Sequence, residues 1–449
     1  MKSSILFIFF IAFIAVGCNR KEVKTVLDVK FKYTILNNNY SVPVLIQFEN
    51  NTTGATNFKW TFEGGSPTEY TQKEPGIIQF NKPGSIKVTL EAWNSTEKKT
   101  VDSIIILDSA VKANFEPIVV INDFAPAEFN MNNISAGATL FNWQFPASST
   151  ITTSNTRTPA TVKYDNPGIY TIQLEVKNAK GVKDTISKKV TVRPGLSADF
   201  EMIPSFDDDD MEAPLTATLS NHTISATSHQ WTCSGAIFAN ANDSSTSVTF
   251  NNSGTYAVQY VASNGKQTQT VSKTIVVKPN TFLRTFQNVH LGINTAQNTI
   301  GCYFSTKLRA VFKPTEVNTT NGSLIDIAFF GLSESFSLNK FISPDSVTNW
   351  TFSTIPNATH TIWVNKQETC SCNLSFTESD FNALANGNAL IPLNIVETVG
   401  GMASFNNTVI PRIILFKNSG GKKGVIKLKQ LVNAGQQSYV IVDIKVQKD

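Results

Sequence analysis

One pattern recurs three times in the first two thirds of the chain, and it restricts the possible folds more than any other feature. The first copy reads FKWTF at Phe58 to Phe62, then NKPGSIKVTLEAWN at Asn81 to Asn94. The second reads FNWQF at Phe141 to Phe145, then DNPGIYTIQLEVKN at Asp165 to Asn178. The third reads HQWTC at His229 to Cys233, then NNSGTYAVQYVASN at Asn251 to Asn264. Trp60, Trp143 and Trp231 lie 83 and 88 residues apart, and Gly84, Gly168 and Gly254 lie 84 and 86 apart. In every copy the glycine precedes the asparagine by ten residues. A repeat this regular means a tandem array of one structural unit.

The residues inside the repeat define that unit. A period of two places Phe141, Trp143 and Phe145 on one face of a strand. The tryptophans Trp60, Trp143 and Trp231 are then the central rings of three cores, because a large aromatic removes the most apolar area from water. Pro-Gly, or Ser-Gly in the third copy, turns the chain into the next strand. There Tyr170, Ile172, Leu174 and Val176 alternate with Thr171, Gln173 and Glu175, the pattern of a half-buried strand. Each copy therefore predicts a two-sheet β-sandwich of about 80 to 90 residues with about seven strands.

Boundaries follow from the joints. Residues 27–110, 111–194 and 195–279 form the three sandwiches, with Asn114-Phe115 and Asp199-Phe200 opening the second and third in the same role. Joints this short predict a semi-rigid row of modules. Residues 280–449 break the repeat and form a fourth domain.

The repeats resemble the PKD domain, an immunoglobulin-like module. That family shows W-D-F-G-D-G, a Pro-Gly turn, Y-x-V-x-L and an Asn-bearing hairpin. Here Trp60-Thr61-Phe62-Glu63-Gly64-Gly65 matches the first motif without its aspartates. Trp143-Gln144-Phe145-Pro146 keeps the aromatic pair, and Trp231-Thr232-Cys233-Ser234 keeps the tryptophan. The resemblance implies an all-β chain of tandem immunoglobulin-like sandwiches and says little of function.

The chain opens with Lys2, an apolar segment from Ile5 to Val16, then Gly17 and Cys18. The apolar part is shorter than the roughly 20 residues needed to span a bilayer and reads as an export signal over residues 1–17. Ala15-Val16-Gly17-Cys18 resembles a bacterial lipobox, with Ala15 where leucine is usual. The resemblance implies lipidation of Cys18, residues 18–26 as a lipidated tether, and a partner in the lipid bilayer. It places the chain in the cell envelope, at the outer membrane.

In the last domain, Gly301 to Thr306, Ser323 to Phe330, His360 to Val364, Ile410 to Phe416, Gly424 to Leu431 and Tyr439 to Val446 read as strands. Thr377 to Ala385 reads as a helix with Thr377 as N-cap and Asp380 as its capping partner. The domain is expected to be mostly β. Gly301-Cys302-Tyr303-Phe304, Leu324 to Phe330, Phe341-Ile342-Ser343-Pro344 and Gly420 to Lys427 resemble a recurring C-terminal module of lipoproteins from the Bacteroidetes group. That resemblance supports envelope placement.

Function classes narrow by exclusion. The net charge is only +4, with 38 basic and 34 acidic residues scattered along the chain, which argues against a nucleic-acid partner. No HExxH, phosphate-binding loop or G-x-S-x-G motif occurs. A hydrolase with an unrecognised pair of carboxylates trails the other readings. Asp207, Asp208, Asp209 and Asp210 are either a Ca²⁺-binding cluster or a solvated loop. Cys370-Ser371-Cys372 lacks redox or zinc spacing. The alternatives are a loop or a disulfide involving Cys302. His290 and His360 read as surface residues, and Lys417, Lys422, Lys423, Lys427 and Lys429 as a solvated basic hairpin. Trp350 and Trp363 are either core residues or platforms for sugar rings. The expected function is non-enzymatic: an anchored stalk presenting an adhesion or ligand-binding domain to a glycan or an envelope protein. A structural subunit of an outer-membrane complex is the alternative.

Overall fold

The computed structural model describes residues 26–448, so the expected signal peptide and Cys18 lie outside the described residues. The chain is all-β, a series of antiparallel sandwiches. The first pairs a sheet of Phe31–Ile35, Val44–Asn50, Gly76–Phe80 and Gly65–Ser66 with a sheet of Glu69–Tyr70, Asn57–Phe62, Gly84–Trp93 and Lys98–Leu107. The second pairs Val162–Tyr164, Ala127–Asn133 and Phe115–Val119 with Thr153–Ser154, Leu140–Gln144, Gly168–Lys177 and Lys183–Val192. The third pairs Phe200–Pro204, Leu215–Asn221, Thr246–Phe250 and Ala236–Phe238 with Ser228–Thr232, Gly254–Ser263 and Thr268–Val277. Three separate sets of buried side chains fill them.

The repeated residues do the same work in each copy. Trp60 lies opposite Leu90, Trp143 opposite Leu174 and Trp231 opposite Tyr260, one register position in three modules. Each indole is buried. Each meets a phenylalanine of the module's first strand nearly edge-on, Phe31, Phe115 and Phe200, at 5.2, 5.0 and 5.0 Å. Edge-to-face contact sets the positive ring edge against the negative face of its neighbour. Each indole N–H also donates to a backbone carbonyl, of Lys73, Thr156 and Asp243 at 3.2, 3.0 and 2.8 Å. The buried donor is thereby satisfied, as a tryptophan this deep requires.

The last domain stacks two sheets. Leu283–Gly292, Tyr439–Gln447, Lys423–Val432, Arg412–Lys417 and Ile362–Val364 form one. Ala310–Phe312, Tyr303–Ser305, Ile327–Gly331 and Asn339–Ile342 form the other. All six expected strands are present, with ends shifted by a few residues. The helix runs over Glu378–Ala383 with the expected box: Thr377 Oγ1 accepts from the Asp380 amide at 3.2 Å, and Asp380 Oδ2 from the Thr377 amide at 2.8 Å. The domain's first strand pairs with its last, Leu283 against Gln447, so Lys448 returns to where the third sandwich ends.

Candidate functional site at the module joints

Three proline-containing loops, each just before a module's second strand, build the joints. Ser41, Phe124 and Glu212 stand two residues ahead of Pro43, Pro126 and Pro214, all three cis. Each forms a parallel bridge to the end of its own module, with Asp108, Arg193 and Lys278 respectively. The same position in each copy then meets the next domain.

At the first joint, Asn178 Nδ2 of the second module donates to Ser41 Oγ at 2.8 Å, and both side chains are buried. Lys180, two residues on, pairs with Asp108 at 2.8 Å and sits 3.8 Å over the Tyr40 ring. Gly137, at φ +67, leaves no room for a Cβ, which would fall 2.3 Å from the Ala110 carbonyl. At the second joint, Asn122 Nδ2 donates to the Asn264 carbonyl at 2.9 Å, and the Lys266 ammonium donates to the carbonyls of Phe124 and Pro126. Burial pulls the Lys266 ammonium below the usual lysine range. Asn178 and Asn264 are the repeat asparagines, and Lys180 and Lys266 share one offset from them. In the first module that offset holds Thr96, and Asn94 Nδ2 turns inward to the Gly54 carbonyl at 2.8 Å.

The third joint is ionic. Glu212 accepts from the Thr281 amide and hydroxyl, each at 2.8 Å, and from the Lys448 ammonium at 2.6 Å. Arg284 pairs with Asp209 at 2.9 Å and Asp210 at 3.3 Å, and Arg309 with Asp209 at 2.6 Å while lying 4.1 Å over the Phe206 ring. Lys448 also pairs with Asp210. Burial raises the Asp210 carboxyl, but Lys448, the Glu212 amide and Arg284 outweigh it and hold it below the usual range. These cations are mostly buried, so removing a carboxylate partner would leave a charge uncompensated, which costs more than breaking an exposed pair.

A cleft of about 530 Å³ opens beside this joint, walled by the third sandwich and the last domain. Asp326 lies on its lining, its carboxylate accepting from the Thr306 amide at 3.0 Å and from the Thr306 hydroxyl. Burial pushes that carboxyl up to about 6, against the opposing pull of Thr306.

The structure redraws several of the sequence candidates. Asp207, Asp209 and Asp210 pair with cations of the last domain, while Asp208 accepts from the Ser205 hydroxyl and the Thr216 amide of its own module. Among the described residues, no group of three His, Cys, Asp or Glu side chains is placed to hold a metal. Cys370 and Cys372 are bonded to each other, their Cα atoms 5.1 Å apart, and Cys302 is free and buried. The segment is not a strand, and Ser371 at φ 56 brings the two cysteines together. Burial raises the Cys302 thiol well above the usual range. Trp363 is a core ring between Phe341 and Phe416, at 5.4 and 5.3 Å, and has no face free for a sugar. Trp350 is half-buried, 4.7 Å from the Phe330 ring with the Lys340 ammonium 5.2 Å from its own. His360 bridges Asp345 at 2.8 Å and Glu397 at 3.1 Å. Asp345 above all raises its pKa. Lys427 and Lys429 of the basic hairpin pair with Glu378 and Asp443.

Sequence reasoning missed Glu212, Arg284, Arg309 and Lys448. For Glu212 a signal existed: it occupies the place held by Ser41 and Phe124, two residues before a proline, and there introduces a charge.

Among the described residues, no helix is long and apolar enough to cross a membrane. No curated protein matches the sequence. Solved structures that resemble the chain include protocadherin gamma B7 extracellular cadherin domains 1–4, at 11% identity over 56% of this chain and 72% of that one, with a TM-score of 0.25. A DUF4466 family protein from Parabacteroides merdae matches at 12% identity over 76% of this chain and all of its own, with a TM-score of 0.25. A bacterial ice-binding adhesin matches at 10% identity over 57% of this chain and 98% of its own, with a TM-score of 0.26. The profile of the PKD domain matches residues 113–192, so the second sandwich is a PKD-like domain.

Proposed function

We propose that this chain is an anchored, non-catalytic envelope protein in which three PKD-like sandwiches form a stiff stalk presenting the last domain to a ligand or partner surface. The repeated joint carries the reading. Independent modules on a flexible string need no such contacts, yet each joint here uses the same loop position, and the first two also use the same hairpin asparagine. Inter-domain contacts of this kind restrict a motion that is otherwise the default. The anchor rests on Ala15-Val16-Gly17-Cys18, which supports lipid attachment at the outer membrane. A single acyl chain gives only reversible binding at about 0.8 kcal/mol per buried CH₂, so stable attachment calls for more than one.

Two measurements test the two halves. Small-angle scattering of the mature chain is expected to fit one rigid arrangement, and a curve that demands freely jointed modules overturns the stalk. Cys18→Ala is expected to move the protein from the membrane fraction to the soluble one and abolish palmitate labelling. Retention in the pellet after a high-salt wash overturns the anchor.

A further inference from the structure

The cleft beside the third joint has features the joint itself does not use. Its volume, about 530 Å³, lies within the range of about 300–1,000 Å³ usual for small-molecule sites, which favour domain interfaces. Of the cations on its lining, Arg284, Arg309 and Lys448 are matched by the aspartates and Glu212. Lys307 and Lys422 make no ion pair among the described residues. The Lys422 ammonium donates only to the Lys448 carbonyl, at 2.7 Å, and Lys307 is exposed. Arg309 also carries a buried Nε–H without a hydrogen-bond partner, which leaves a donor for an incoming acceptor. Around these stand the hydroxyl of Thr359, the amide of Asn418 and the acceptor oxygens of Asp326.

We propose that this cleft binds a small hydroxylated carboxylate, a sugar acid or the uronate unit of a longer glycan. Lys307, Lys422 and the Arg309 Nε–H supply the anion contacts, each a charge-assisted hydrogen bond to a carboxylate oxygen. Asp326, Asn418 and Thr359 supply the partners that sugar hydroxyls require. The cleft lacks aromatic lining, so selection runs through charge and hydrogen bonds rather than stacking. The inference rests on the reading that the last domain is the one presented, but it does not depend on stalk stiffness or on the anchor, which scattering and fractionation test separately.

Titration calorimetry on the mature chain, with sodium D-glucuronate as probe and D-glucose and acetate as controls, decides the matter. Saturable glucuronate binding is expected, at least about tenfold tighter than either control. Lys307→Ala and Lys422→Ala are each expected to weaken it about tenfold with the thermal melt unchanged; Lys307 is exposed, so its variant separates lost binding from lost folding. A uronate trimer that binds about tenfold tighter than the monomer assigns the ligand to a polymer, and equal affinity assigns it to the free acid. Acetate binding as well as glucuronate, no glucuronate binding up to about 10 mM, or binding indifferent to both lysines would each overturn the assignment.

Discussion

Asn178 Nδ2 donates to Ser41 Oγ across the first joint, 2.8 Å apart and 137 residues distant in sequence, with both side chains buried. The same asparagine holds its own hairpin, its Oδ1 accepting from the Lys180 and Val182 amides at 3.0 Å each. Removing the hydroxyl alone therefore tests the joint without touching the turn. Ser41→Ala leaves a buried amide donor unmet, which costs about 1–3 kcal/mol. Limited proteolysis is expected to cut first near Ser109, and scattering to show a looser first joint. An unchanged cleavage pattern would mean that Lys180 and Tyr40 suffice to hold it.

The tryptophans make a sharper claim, because each is fixed by packing and by a hydrogen bond. Trp143→Phe keeps an aromatic ring against Phe115 but deletes the donor to the Thr156 carbonyl. A loss of about 1–2 kcal/mol is expected, against about 3–5 kcal/mol for Trp143→Ala. Hydrogen exchange should quicken across residues 168–192 and stay unchanged in the last domain. Equal quickening everywhere would show that the chain unfolds as one unit.

What the sequence disclosed and what it hid divide along a physical line. Trp60, Trp143 and Trp231 were legible because strand alternation and turn chemistry act over a few residues. The partners of Asp207, Asp209 and Asp210 were not, because Arg284, Arg309 and Lys448 come from another domain, and no local rule relates them. Trp363 was ambiguous for a related reason: with Val364 buried as well as itself, its strand shows no alternation to mark an outward face. The Cys370–Cys372 bond was hidden because it depends on the left-handed backbone of Ser371, which no residue type at that position announces.

That bond gives a direct chemical test. Non-reducing peptide mapping is expected to recover Cys370 and Cys372 in a single peptide two mass units lighter than its reduced form. Cys302, fully buried and with its thiol held protonated by burial, should resist maleimide until the protein is unfolded. Cys233, only partly buried, should react sooner. A Cys302-containing cross-linked peptide would refute the pairing.

Asp326 supplies a prediction with a definite sign. Burial raises its carboxyl from an ordinary 3.8 to about 6 in the folded chain, against the hydrogen bonds from Thr306. Between those values the native state holds a proton that the unfolded chain has released. Stability from this group is therefore greatest in acid and falls as pH rises from about 4 to about 6, by on the order of 3 kcal/mol, then levels off. Other carboxylates, Asp210 among them, are depressed and act in the opposite direction, so the whole-protein curve does not isolate the effect. Asp326→Asn does, since the amide does not titrate. Urea unfolding of both proteins at about pH 4.5 and about pH 7.5 should show the wild type gaining on the variant by roughly 2 kcal/mol at the lower pH. A stability difference that stays constant across that interval would mean that Asp326 ionises normally, and that the floor of the cleft is wetter than its burial implies.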